Sequence, residues 1–222
     1  MEEEVIAGIS HADSLYEGGC AMLVLGLTGG IACGKSNISQ TLRELGAVIV
    51  DGDMLSRELT VPGGAALTDI RAAFGDGVFH PDGTLNRRAL GSIVFANDKA
   101  RDTLDGIMQP LLLTLILRDI EDARQTSTPV CVLDMPLLYE KDIDRLCDRI
   151  WCAYVPREVQ LTRLMERDGF TREEAEARLR SQLPAEEKAA RADVVIDTSG
   201  PMDYTKESVI SLYTQEVGSS AG

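Results

Sequence analysis

The chain has 222 residues, 44% of them apolar and 26% charged, with a formal net charge of −14. That length suits one substantial α/β domain with insertions, and the composition is that of a folded globular protein, not a disordered or fibrous one. So acidic a chain argues against general affinity for nucleic acid or anionic membrane, since both need a basic face, but leaves room for a locally basic pocket that takes a small anion.

Residues 1–21 are polar and glycine-rich, with no sustained period, and open on Met1-Glu2-Glu3-Glu4, acidic where a secretory signal needs positive charge. They are expected to form a disordered N-terminal extension. Leu23–Leu27 is a short apolar run that reads as a buried strand. Next comes Gly29-Gly30-Ile31-Ala32-Cys33-Gly34-Lys35-Ser36, which matches the P-loop pattern G-x-x-x-x-G-K-[ST]. Ile38, Leu42 and Leu45 then recur at helical spacing. Strand, glycine loop and helix together give the motif its mechanism. The loop turns backbone N–H groups around phosphate oxygens, and the helix N-terminus adds partial positive charge. Lys35 is placed to reach the β- and γ-phosphates of a nucleotide, and Ser36 to ligate Mg²⁺. Gly29 through Asn37 are the candidate nucleotide contacts. A P-loop alone does not separate kinases, GTPases, motors and ATP-dependent regulators, though the chain lacks the N-K-x-D signature of guanine recognition.

Ala47–Val50 reads as a second strand ending in Asp51-Gly52-Asp53. Ligands of open α/β sheets bind beyond the carboxyl ends of strands, which places these acids near the P-loop. Asp53 and Arg57 lie four apart on the helix that starts there. Asp53 either caps that helix and pairs with Arg57, or receives the proton of a phosphoryl acceptor. Residues 54–125 hold turns at Pro62-Gly63-Gly64, Gly75-Asp76-Gly77 and Pro81-Asp82-Gly83 and a helical period over Leu104–Ala123, so they are expected to form a helical insertion. The longest apolar stretch, Leu111–Leu117, is interrupted by Thr114 and far too short to span a membrane.

Val130–Leu133 is a third strand, and Asp134 at its end has the Walker B form, a carboxylate that helps hold Mg²⁺. Ile150–Val155 is a fourth strand and Asp193–Ile196 a fifth. Between them, Arg157–Arg167 and Arg172–Ala190 have helical periods and many charges. They are either a solvated helix pair laced by i,i+4 ion pairs or a mobile lid whose arginines close on phosphates. Met202–Val217 is the expected final helix, with 218–222 a disordered tail. Near-continuous Val, Ile and Leu runs separated by helices point to a five-stranded parallel sheet covered on both faces, the P-loop NTPase type of α/β fold. Cys20, Cys33, Cys131, Cys147 and Cys152 form no C-x-x-C pair, which suits a reduced cytosol with neither a disulfide framework nor a zinc site. His11 and His80 are too isolated for a metal cluster.

Taken together, these residues resemble the dephospho-CoA kinase family. Gly26-Leu27-Thr28-Gly29-Gly30-Ile31 before Gly34-Lys35-Ser36, then Val50-Asp51-Gly52-Asp53 with Arg57 and Pro62-Gly63, carry the likeness. So does Asp134-Met135-Pro136-Leu137-Leu138-Tyr139-Glu140, which is similar to that family's D-x-P-L-L-[FY]-E signature. Gln160-Leu161-x-Arg163, Arg167-Asp168-Gly169, Arg178-x-x-x-Gln182 and Ala192-Asp193-Val194-Val195-Ile196 extend it from Met22 to about residue 213. The resemblance implies a kinase domain over 22–217, with a core of 22–53, 126–156 and 191–217, a helical substrate subdomain over 54–125 and a lid over 157–190. It implies transfer of the ATP γ-phosphate to the 3′-hydroxyl of dephospho-CoA in the cytoplasm by a monomer or weak homo-oligomer, with Mg²⁺ as cofactor. Asp53 becomes the general base, Arg57 and Leu137 substrate contacts, Arg163 and Arg167 the cations that neutralise the transferring phosphoryl group, and Ser36 and Asp134 the magnesium ligands. Another small-molecule P-loop kinase or a non-catalytic nucleotide-binding module are the competing readings.

The chain also departs from the family pattern. Ala32 stands where a second loop glycine is usual, a change expected to be harmless unless the backbone there has positive φ. Cys33 replaces Ser or Ala, and Asn37 replaces a common Thr. Gln109-Pro110 replaces His-Pro, and Asp197-Thr198-Ser199-Gly200 lacks the Asn usual near the adenine.

Overall fold

The structure, a computed structural model, describes residues 22–219. The expected extension over 1–21, with His11 and Cys20, and the end of the expected tail lie outside the described residues. Five strands, β1 (Leu23–Gly29), β2 (Val48–Asp51), β3 (Val130–Asp134), β4 (Arg149–Tyr154) and β5 (Val194–Asp197), form one parallel sheet in the order β2-β3-β1-β4-β5. β1 is central, and the chain winds to one side of it for β2 and β3 and to the other for β4 and β5. The loop after β1 therefore opens at the switch point, where an open α/β sheet has its ligand crevice.

Both faces of the sheet are buried, as the apolar runs require. Leu25, Leu27, Val132 and Trp151 face α1 (Lys35–Glu44) and α9 (Met202–Ser219), meeting Ile38, Leu42 and Val209. Val24, Val50, Cys131 and Leu133 face the opposite way, onto Ile116 and Ile120 of the long helix α5 (Asp98–Arg124). The insertion contributes α2 (Gly52–Glu58), α3 (Leu67–Phe74), α4 (Arg87–Ala96) and the start of α5. Leu59, Ala66, Ile70, Val78 and Leu90 make its own apolar cluster.

Several elements differ from the sequence reading. The span Arg172–Ala190 is two helices, α7 (Arg172–Arg180) and α8 (Ala185–Arg191), not one. Pro184 explains the break, because proline disfavours the helical conformation of the residue before it and begins α8 as its N-cap. Ala185 and Lys188 of α8 are buried against the sheet region, whereas α7 packs on α6 (Arg157–Asp168) through Leu161, Leu164, Ala175 and Leu179. α5 begins six residues before its apolar period, because the Asn97 side chain accepts the Ala100 N–H and caps it. α9 continues to Ser219, so residues 218 and 219 are helical.

Candidate active site

α1 starts at Gly34, whose φ of 75° is left-handed, and no side chain caps the helix. Its first turn also carries no acidic residue. The N-terminal N–H groups of α1 are therefore left for an anion, the arrangement that phosphate binding requires. Gln160 braces the loop from α6. Its buried amide donates to the Ile31 carbonyl at 2.9 Å and approaches the Cys33 Sγ at 3.2 Å. A Cβ at Gly30 would sit 2.3 Å from that amide nitrogen, so a larger residue there would push the Gln160 amide off the loop. The Thr198 hydroxyl donates to the Cys33 carbonyl at 2.7 Å from the far side.

Ala32 has φ of 62°. The expectation that alanine is harmless at this position is corrected: a left-handed L-residue carries a cost of ~1–2 kcal/mol that glycine would avoid.

The loop forms one wall of a cavity of about 630 Å³. Gly29 through Ser36 line it, together with Asp53, Leu137 and Arg167. α5 supplies the opposite wall with Leu104, Asp105, Met108, Gln109 and Leu112. Asn37 and Arg57 are exposed and stand outside this lining. Lys35 and Asp134 form an ion pair at the cavity floor. Sheet register explains it: Asp134 is level with Leu27 on the neighbouring strand, just before the loop that carries Lys35. The Asp134 carboxylate, paired with Lys35, and the hydroxyl of the next residue, the exposed Ser36, are hard oxygens of the kind that suits Mg²⁺, which takes few protein ligands and keeps water and phosphate for the rest.

Asp51, not Asp53, caps α2. Its carboxylate accepts the N–H groups of Asp53 and Met54 at 2.9 and 3.0 Å. The capping reading of Asp53 is thereby corrected. Among the described residues no ion pair joins Asp53 to Arg57 either, and Asp53 is exposed and lines the cavity. Arg163 donates to the Thr198 carbonyl at 2.7 Å and stands beside the loop, not in the lining. Arg167 does line the cavity, with two of its nitrogens on Asp168 at 2.8 Å each. That pairing holds the Asp168 carboxyl below its usual range. Arg178 lies over the rings of Phe95, at 5.1 Å, and Phe170, at 5.5 Å, so α7 touches the end of α4.

Gln109 lines the α5 wall and donates to the Lys141 carbonyl at 3.2 Å, while the Lys141 ammonium pairs with Asp105 at 2.6 Å. Gln182 lines the cavity from the α7–α8 turn with a buried Oε1 that has no hydrogen-bond donor among the described residues. Gln160 and Gln182 entered the sequence reading only as motif positions with no task, and Lys141 and the buried Lys188 not at all; the partners of Gln160, Lys141 and Lys188 lie tens to more than a hundred positions away.

The family model described as dephospho-CoA kinase matches residues 23–203. The chain belongs to the dephospho-CoA kinase family. A dephospho-CoA kinase of Geobacter sulfurreducens is 44% identical over 194 residues, covering 87% of this chain and 98% of that protein. One from Geobacter metallireducens is 45% identical over 196 residues, covering 88% and 98%. Among solved structures, a Thermus thermophilus protein aligns with a TM-score of 0.74 at 29% identity, covering 87% of this chain and 97% of its own. A dephospho-CoA kinase from Campylobacter jejuni aligns with a TM-score of 0.68 at 26% identity, covering 88% and 98%. The match spans the P-loop and Asp53, the α5 wall, and α6 with Arg163 and Arg167. None of the described helices is long and apolar enough to cross a membrane.

Proposed function

We propose that this family member transfers the γ-phosphate of ATP to the 3′-hydroxyl of the dephospho-CoA ribose, giving CoA and ADP, and that the cavity between the P-loop and α5 holds the acceptor. The observation that carries the reading is Asp53. It is an exposed carboxylate relieved of capping by Asp51, and it shares one cavity with Lys35 and the uncapped start of α1. A base must lie within reach of the proton it takes, and a phosphoryl acceptor must lie in line with the γ-phosphate.

The steps follow from these residues. The P-loop N–H groups and Lys35 cradle the β- and γ-phosphates, and Lys35 exchanges part of its pairing with Asp134 for phosphate oxygens. Ser36 and Asp134 would hold Mg²⁺, which supplies positive charge to the phosphates when bound. Asp53 accepts the 3′-hydroxyl proton as the ribose oxygen attacks phosphorus and the bond to the β–γ bridging oxygen breaks. Charge spreads over the transferring group, and Arg167, with Arg163 behind it, offsets that charge as α6 and α7 close as a lid. Leu137 and the α5 wall contact the acceptor, and Arg57 meets its outer part. The free thiols Cys33, Cys131, Cys147 and Cys152 support a reducing, cytoplasmic setting.

ADP release measured against a panel of dephospho-CoA, nucleoside monophosphates and sugars tests the assignment. Dephospho-CoA should be preferred by orders of magnitude, and Lys35→Ala should lose more than nine-tenths of that turnover. Equal or faster turnover with another acceptor would replace the assigned substrate, and ATP binding without turnover on any acceptor would leave only a binding module.

A further inference from the structure

The Glu140 end of the D-x-P-L-L-Y-E segment has no part in the steps above, and neither does the most deeply buried cation of the described residues. The two belong together. Lys188 of α8 has no exposed surface. Its ammonium donates to the Pro136 carbonyl at 2.6 Å and pairs with the Glu140 Oε1 at 2.8 Å. The same Oε1 accepts the Leu183 N–H at 2.9 Å, from the turn that joins α7 to α8. One turn further along α8, Arg191 lies 3.9 Å over the Tyr139 ring and 3.6 Å from Asp144. α8 is thus fastened along the whole loop that follows β3.

Stability alone does not call for this arrangement. A buried ion pair pays heavily in desolvation, and an apolar pair of similar volume would hold the two segments together as well or better. The Glu140 Oε2 is buried without a donor among the described residues, an added cost. What the charge adds is direction. The Pro136 carbonyl lies in neither strand nor helix, and its other donor is the Thr28 hydroxyl at 3.3 Å. Pro136 and Leu137 line the cavity, and Asp134, two residues back, pairs with Lys35.

Resting on the assignment of the reaction above, we infer that Lys188 is a positioning residue: through the Pro136 carbonyl it fixes the Asp134–Leu137 segment beneath the reacting groups, with Glu140 as its counter-charge and as the tie to the root of the lid. Lys188 touches neither substrate. A displacement of about 1 Å in such a segment costs roughly 10²-fold in rate.

Three variants separate positioning from mere stability: Glu140→Gln, Lys188→Met, and the two combined, each assayed for CoA formation below its own melting transition. Glu140→Gln keeps an acceptor for Leu183 and keeps the Lys188–Pro136 bond. It should melt lower yet hold kcat within about threefold of the unaltered enzyme. The double variant removes both charges and should recover most of the lost melting temperature. Its kcat should nevertheless fall roughly 10- to 100-fold, with KM for ATP within twofold, because the P-loop is untouched. Lys188→Met alone should show the same fall in kcat. The inference is overturned if kcat follows melting temperature across the three variants, if the double variant works at the normal rate, or if Glu140→Gln alone loses as much kcat as the variants lacking Lys188. The unaltered enzyme in the same assay keeps the two claims apart: absence of CoA there sinks the assigned reaction, not the positioning role.

Discussion

Asp53 and Asp51 stand two residues apart and have different tasks. Asp51 accepts two backbone N–H groups and Asp53 faces the cavity with none to serve. Asp53→Asn is nearly isosteric and removes no cap, so melting temperature and ATP affinity should stay close to normal. The amide cannot take the ribose proton, and single-turnover CoA formation should slow by roughly 10²- to 10⁴-fold. Near-normal transfer by this variant would take Asp53 out of the chemistry. Ala32 offers a second test at this scale. Relief of its left-handed backbone, worth ~1–2 kcal/mol, exceeds the ~0.5–1 kcal/mol that glycine costs in chain entropy. Ala32→Gly should therefore melt higher by a margin near 0.5 kcal/mol. A lower melting temperature would mean that the methyl packing on Leu161 and Leu164 outweighs the strain. That Lys35 of the P-loop and Asp134 come together was legible, because both follow from neighbouring strand ends of one parallel sheet. The sign of φ at Ala32 was not, since it depends on the closure of the whole loop.

At the scale of elements, α6 carries Gln160, Arg163 and Arg167 at positions i, i+3 and i+7, one helical face. That face runs from the P-loop, through the Thr198 carbonyl, to the cavity. Movement of α6 is thereby tied to the loop that takes the phosphates. With the proposed role of Arg167 on the transferring group, Arg167→Ala should lower kcat more than it weakens dephospho-CoA binding. Arg163→Ala should do the same, with an added loss of ATP affinity as the Thr198 carbonyl loses its donor. A change confined to the acceptor binding constant in either variant would make that arginine a ground-state contact. The helices themselves were legible from their apolar periods. The break before α8 needed the weight of Pro184, and the early start of α5 needed Asn97 as its cap; both are single residues that override a longer pattern.

For the whole molecule, the parallel sheet followed from uninterrupted apolar runs, but the strand order did not, because pairing of β1 with β3 and β4 joins segments a hundred residues apart. Buried thiols make the fold sensitive to alkali. Burial pushes Cys131, Cys147 and Cys152 up to about 12, with acidic neighbours adding to the effect at Cys147. Unfolded thiols titrate near ~8.5, so the native state binds more protons above that value. Stability should be fully present below pH ~8.5 and fall as pH rises toward 12, by about 1.4 kcal/mol per pH unit for each thiol. Urea unfolding at pH 8 and pH 10 reads this directly; equal midpoints would show the thiols to be no harder to ionise in the fold than out of it. The enzyme is incubated with Mg-ATP and dephospho-CoA, and the acceptor is examined by mass and phosphorus NMR. A single added phosphate on the 3′-oxygen of the ribose is expected, with one ADP formed for each. An acceptor recovered unchanged, or phosphorylated at another position, would contradict the proposed reaction.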